Sequence, residues 1–398
     1  MRHIKQQLLP IERLTREPGH YFFGYYDLQP WSADGRFHLC HRVDFRDRMP
    51  TEADPAELGI IPMNGEQQFI PFARTYAWNF QQGAMLQWHP LHGDSEVIFN
   101  TRIGNEFKAV IRNIWSGEER LLSRAVANVD PLGRWALSIN FSRLHDFRPG
   151  YGYAGIVDPF YNEKHPEDDG VFLVNLQDGS SRLIISYRDI VDFFKEHEWL
   201  RDAKILINHI TFNNDGTRFV FLVRTFPTPQ TRGWKTAVLT ANTDGSDLRC
   251  LIDFGMASHY WWRDPDHILF WAGVGEPAVN GLFLINDATG EAEMIDPEYF
   301  VHDGHCSHSP DGKRILYDGY PDRDGYRRLF VYDINRKRGV TLATVRSEPT
   351  GRLFSVDLRC DLHPRWNRNG SAISFDSMHE GHRHVYWIDL TDLDELFG

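Results

Sequence analysis

His209, His259, His305 and His363 each stand seven residues before the turn residue of a hairpin, at Gly216, Asp266, Gly312 and Gly370 respectively. An imidazole titrates near neutral pH, so it can carry a proton in a reaction, and it is also the commonest protein ligand for metals. Four of them in one register of a repeating chain point at one place if the repeats close into a circle. Asp361 lies two residues before His363. On a strand, positions i and i+2 share a face, so this pair offers a nitrogen and an oxygen donor to one metal ion. Aligning "LQWHPLHGDSEVIF" with "DLHPRWNRNGSAISF" by their second strands puts Gln87 in the slot of His363 as a fifth polar group.

The segments that carry these residues read "NHITFNNDGTRFVFLVR", "SHYWWRDPDHILFWAG", "GHCSHSPDGKRILYDGY" and "LHPRWNRNGSAISFDSM". Each is a short strand, a tight turn and a second strand rich in aromatic and β-branched residues. Three further units follow the pattern around Gly35, Asp94 and Gly133, which makes seven. A third strand and often a fourth follow each hairpin, and sheets of about four strands repeated radially are the signature of a β-propeller. The sequence therefore predicts an all-β fold, one seven-bladed propeller spanning 1–398. The last repeat stops after its third strand at "VYWIDL", and the N-terminal "QLLPIERLT" is the natural donor of the missing outer strand. Such closure removes exposed sheet edges.

A net charge of -12 speaks against a nucleic-acid partner, but a local cation or metal can still attract an anionic small substrate. The first residues lack the apolar run of a secretory signal, and no stretch approaches the roughly 20 apolar residues of a membrane helix, so a cytoplasmic protein with no membrane partner is expected. Cys40, Cys250, Cys306 and Cys360 lie far apart with no CxxC pair, which argues for reduced thiols rather than a disulfide framework or a zinc knuckle. A monomer or weak oligomer is expected.

Blade 3 carries a long insertion at about 143–170, within "NFSRLHDFRPGYGYAGIVDPFYNEKHPEDDG". Loops of that length in a compact ring are usually functional. Arg143, Arg148, Tyr151 and Tyr153 are candidates to reach over the channel mouth and contact a charged ligand, with Gly150 and Gly152 as a hinge; the alternative is an excursion that packs on blade 4. "GHYFFGYYDLQPW" and "YAWNFQQGAMLQW" place Tyr25, Tyr26, Asp27, Trp78, Asn79 and Gln82 just ahead of inner strands, where rings can stack on a ligand or pack the core. His308, three residues after His305, belongs on the opposite strand face as a structural residue.

The "SH…DG" pattern in blades 5 and 6, with the last blade opening on "DLHPRW", resembles the oligogalacturonate lyases, cytoplasmic seven-bladed propellers of the TolB-like type. The resemblance covers about residues 200 to 398 and rests on His209, His259, His305 and His363; the first half matches only as propeller blades. It implies β-elimination from uronate oligosaccharides with a divalent metal, manganese first, zinc or calcium as alternatives. His305 and His363 then take metal-ligand positions and His259 the catalytic one. Where the family has a further histidine two residues before the last ligand, this chain has Asp361, which shifts the ligand set toward oxygen. Propeller lyases acting on ulvan use a similar centre, so the uronate is not restricted to pectin.

The chemistry can be stated on its own terms. β-Elimination removes the weakly acidic proton at C5, next to a carboxylate, so that carboxylate must be neutralised. A metal on His305, His363 and Asp361 would act as a Lewis acid, with Arg224 as an auxiliary clamp. His259 or His209 is the candidate base, and Tyr151 the candidate proton donor to the departing oxygen. Tyr26, Gln87, Arg143 and Tyr153 are the candidate substrate contacts, for an anionic oligosaccharide. The alternatives are a propeller that binds a glycan or protein without catalysis, and a metal-dependent hydrolase. No G-x-S-x-G elbow is present, which argues against a serine hydrolase.

Overall fold

The computed structural model describes residues 3–64, 68–229, 231, 233–347 and 358–397. Seven antiparallel sheets follow one another along the chain, one per predicted repeat. Blade 1 consists of His20–Phe22, Phe37–Val43, Ala56–Pro62 and Ile70–Thr75, and blade 2 of Gln87–Trp88, Glu96–Ile103, Glu106–Asn113 and Glu119–Leu121. Blades 4 and 5 have the longest inner strands, Ile205–Phe212 and Ala257–Asp264. Blades 6 and 7 open on Cys306–His308 and Arg365–Trp366. The outer edge of blade 7 is completed by Glu12–Arg13, which pairs with Trp387 and Tyr386. The N-terminal segment does a second job that the sequence did not signal: Ile4–Gln7 adds a fifth strand to blade 6 along Arg338–Arg346.

The turn hydrogen bonds define a common register. In five blades the first residue of the turn donates its N–H to the carbonyl five residues on: Ser32 to Phe37, Asp130 to Trp135, Asn213 to Arg218, Ser309 to Arg314 and Asn367 to Ala372. In blade 2 the corresponding bond runs from His89 to Glu96, seven residues on. That turn is longer by two residues, so counting back from it shifts the register. The blade 2 residue four places before the donor, equivalent to His209, His305 and His363, is Met85. Its backbone agrees: Met85, His209 and His363 have φ of 52°, 50° and 41°. Gln87 is therefore not the fifth polar group of the ring, and its amide N–H donates to the Met85 carbonyl instead.

The insertion of blade 3 lies between Trp135–Ser138 and Gly170–Asn175 and begins with the helix Phe141–Phe147, capped by Asn140. Arg143 is fully buried there and serves as a pin rather than a sugar contact. Its guanidinium donates to the carbonyls of Ile205, Phe160, Glu163 and Lys164 and pairs with Asp158 at 3.2 Å. Tyr153 is also structural: its ring stacks on Phe141 at 4.5 Å, and its buried hydroxyl accepts from Asn100 at 2.9 Å. Tyr153→Phe should cost about 1 kcal/mol of stability in denaturant unfolding, with no change in ligand binding. Gly152 is a point of close approach, not a hinge, because a Cβ there would lie 2.1 Å from the His145 nitrogen. The insertion thus packs on blade 4 through Arg143, while Tyr151 faces the channel.

Blade 1 buries two uncharged imidazoles. Burial, with Arg365 nearby, pushes His38 down to about 3, and burial lowers His41 to about 3 as well. His41 Nε2 accepts the Ala84 N–H at 3.0 Å, a bond that the protonated ring could not make. Both folded values lie below the unfolded value of about 6.5. Below that pH the unfolded chain binds more protons, so stability falls as the pH drops toward 3. A melting temperature that stays flat from pH 7 to pH 4 would contradict this burial.

Candidate active centre

Three imidazoles form one cluster: the rings of His259 and His305 are centred 4.1 Å apart, and those of His305 and His363 4.3 Å apart. Tyr25 lies against it, 4.9 Å from His363 and 5.9 Å from His305. His209 stacks on the Tyr25 ring at 4.9 Å, with the tyrosine hydroxyl 3.3 Å from its Nε2. The fourth histidine is thus separated from the other three by one tyrosine. Positive φ at His209 and His363 is a conformation that bulky residues seldom adopt, and a bulge interrupts the strand at His209. Such backbone persists only where surrounding packing imposes it, commonly at functional sites.

Each clustered histidine has a distinct environment. His259 Nδ1 lies 2.8 Å from Asp303, which also accepts from the Ser258 hydroxyl at 2.7 Å. His305 Nδ1 lies 2.9 Å from Asp318, and its Nε2 has no hydrogen-bond partner among the described residues. His363 Nε2 is likewise buried without one. Burial lowers His305 despite the neighbouring Asp318, and burial together with His305 lowers His363, so both rings are uncharged and keep a lone pair. A carboxylate behind one ring nitrogen and an unpartnered second nitrogen is the usual arrangement of a metal-ligating histidine. Donor atoms of His305, His363 and Asp361 lie within 4.8 Å of one another. The orphaned nitrogens fit a divalent ion.

Asp361 is more heavily engaged than a simple ligand. Arg327 lies 2.5 Å from one of its oxygens and Arg359 2.6 Å from the other. Burial alone would raise this carboxyl, but the two guanidiniums hold it well below the ordinary range. Any metal bound here would share the carboxylate with two fixed cations.

Arg224 is buried, and its Nε and Nη1 have no partner among the described residues. Burial and Arg148 lower it to about 10, so it remains charged at neutral pH and faces the centre without a carboxylate. Tyr151 stands edge-on to His209 at 5.4 Å and to Tyr25 at 6.4 Å, beneath the Arg148 guanidinium. Tyr26 belongs to the wall: its hydroxyl donates to the Tyr260 carbonyl at 2.7 Å and accepts the Tyr260 N–H at 2.9 Å, which leaves only its ring beside His305. His308 is buried, and burial lowers it to about 4.

Sequence reasoning missed Asp303, Asp318, Arg327 and Arg359. A signal existed for the first, because Asp303 stands two residues before His305 as Asp361 stands before His363. Identical spacing serves different partners, since Asp303 turns to His259 of the neighbouring blade. Asp303→Asn should leave the melting temperature within a few degrees of wild type, because the carboxylate holds only the His259 ring and the Ser258 hydroxyl at the edge of the cluster.

These elements define a seven-bladed β-propeller with a histidine cluster in its channel. Among solved structures it is similar to an oligogalacturonate lyase in complex with manganese, at a TM-score of 0.68 and 13% identity over 97% of this chain and 94% of that one. It is equally similar to the oligogalacturonate lyase of Vibrio parahaemolyticus, at a TM-score of 0.67 and 14% identity over 97% and 95%. The tricorn protease matches at 0.51 and 11% identity, with 35% of its length covered. No family model and no curated protein matches the sequence. At such identities the likeness establishes the shared fold.

Proposed function

We propose that the protein is a metal-dependent lyase that cleaves a uronic-acid-containing oligosaccharide by β-elimination. The observation that carries the reading is the pairing of two orphaned imidazole nitrogens, on His305 and His363, with an unpartnered buried guanidinium, Arg224. His305, His363 and Asp361 would hold the ion, manganese by likeness to the structure that contains it. When bound, it would supply Lewis-acid neutralisation of the uronate carboxylate. Arg224, whose Nε and Nη1 have no partner among the described residues, would bind that carboxylate as a second cation.

His259 is the base: Asp303 holds its Nδ1, which leaves Nε2 directed away from that carboxylate to receive the C5 proton. His209 is its alternate, uncharged because burial and Arg224 lower it well below the ordinary value. Tyr151 delivers a proton to the departing oxygen. Tyr25, between His209 and the rings of His305 and His363, excludes water and orients the sugar. The four cysteines are unpaired, which fits a reducing compartment, and a cytoplasmic location belongs to this proposal.

Incubation with uronate oligosaccharides should produce the ultraviolet chromophore of the unsaturated sugar, and chelation of the metal should abolish it. Absence of the chromophore across a broad uronate panel, in a protein that retains no metal, would replace the lyase with a non-catalytic glycan-binding propeller.

A further inference from the structure

Arg224 and Thr236 are paired across the second and third strands of blade 4, and Trp234 stands two residues ahead of Thr236. The inner strand Ile205–Phe212 leads from His209 to the turn at Gly216 and the second strand returns, so Trp234 lies at the histidine end of the ring. Its indole is 45% exposed. Single exposed rings are common on protein surfaces and by themselves mean little. The neighbours set this one apart. Its centroid is 5.7 Å from the guanidinium of Arg224 and 5.6 Å from that of Arg148, and the Phe147 ring of the insertion helix braces it edge-on at 5.3 Å. Both guanidiniums stand off further than the 4.2 Å at which Arg148 covers Tyr151. Packing therefore fixes the indole while much of it stays open to solvent, and a ring held in advance loses little freedom when a ligand stacks on it.

The chemistry of the centre indicates what would stack there. A uronate whose carboxylate rests on Arg224 brings the sugar bonded to it beside the same guanidinium, where the exposed ring is Trp234. Pyranoses present apolar C–H faces, and an aromatic ring packs on such a face whether or not the sugar carries a carboxylate elsewhere. Tyr26 and Tyr153 are buried in the wall and the insertion, so neither offers that contact. A ring that served only to cover Arg224 would act on the carboxylate alone, and the two roles separate by experiment.

We propose that Trp234 is the stacking platform of a sugar subsite adjoining the uronate at the centre. The proposal rests on the lyase reading for the identity of the ligand, and binding measured without turnover separates the two. In the His259→Ala protein loaded with Mn²⁺, calorimetry with trigalacturonate should show about tenfold weaker binding after Trp234→Ala, the scale of one ring contact. Trp234→Tyr should restore most of that affinity and Trp234→Leu none of it. In the active protein Trp234→Ala should raise KM about tenfold and hold kcat, whereas a ring that only positions Arg224 at the reacting carboxylate would lower kcat. Unchanged affinity in Trp234→Ala, equal affinity in Trp234→Tyr and Trp234→Leu, no binding of trigalacturonate before Trp234 is replaced, or a fall in kcat with KM unchanged overturns the proposal. Failure of the active protein to form the unsaturated chromophore, with trigalacturonate still bound through Trp234, overturns the lyase reading alone.

Discussion

His259→Ala is expected to lower kcat/KM on a uronate oligosaccharide by about 10² to 10⁴-fold, the range for loss of a general base, while fold and metal content stay at wild-type levels. His363→Ala should lose activity by a different route, through loss of the metal. The distinction follows from what each ring faces: His259 is held by Asp303, whereas His363 presents an orphaned Nε2 to the cluster with His305. Metal analysis beside steady-state kinetics checks both. Equal activity in the two variants, or metal lost from His259→Ala, would refute the division of roles.

The second large effect is on stability. Asp361→Ala should destabilise the fold by about 3 to 5 kcal/mol, the cost of leaving buried charge without its partner, because the buried Arg327 and the largely buried Arg359 both lose their carboxylate. Denaturant unfolding in the presence of a chelator isolates this contribution. If the destabilisation vanishes when the metal is removed, Asp361 matters as a ligand and its ion pairs contribute little. If it persists, the carboxylate is first a structural counter-ion, and its donation to a metal comes on top of that role.

Much of the architecture was legible because a propeller repeats its local chemistry. Each turn needs a residue that tolerates positive φ, and Gly35, Gly133, Gly216, Gly312 and Gly370 supply it at matching intervals. Asp94 broke the interval without announcing it. The blade 2 turn is two residues longer, and an alignment anchored on the second strand placed Gln87 where Met85 belongs. The insertion was visible from its length, but not which of its side chains would turn inward. Arg143 and Tyr153 satisfy buried backbone and side-chain groups, whereas Tyr151 reaches the histidines beneath Arg148.

By itself the sequence determined the ring, its seven blades, its closure by an N-terminal strand and the register that sets four histidines at equivalent places. Those features follow from local rules, the period of a strand and the geometry of a turn, which neighbouring residues carry in full. Tertiary structure decided the rest: Tyr25 between His209 and the other three, Asp303 reaching across to the next blade, and Arg327 and Arg359 meeting on Asp361. Each of these joins side chains from separate turns of the ring, where long, rotatable groups choose partners by burial and charge, so spacing along the chain carries no record of the choice.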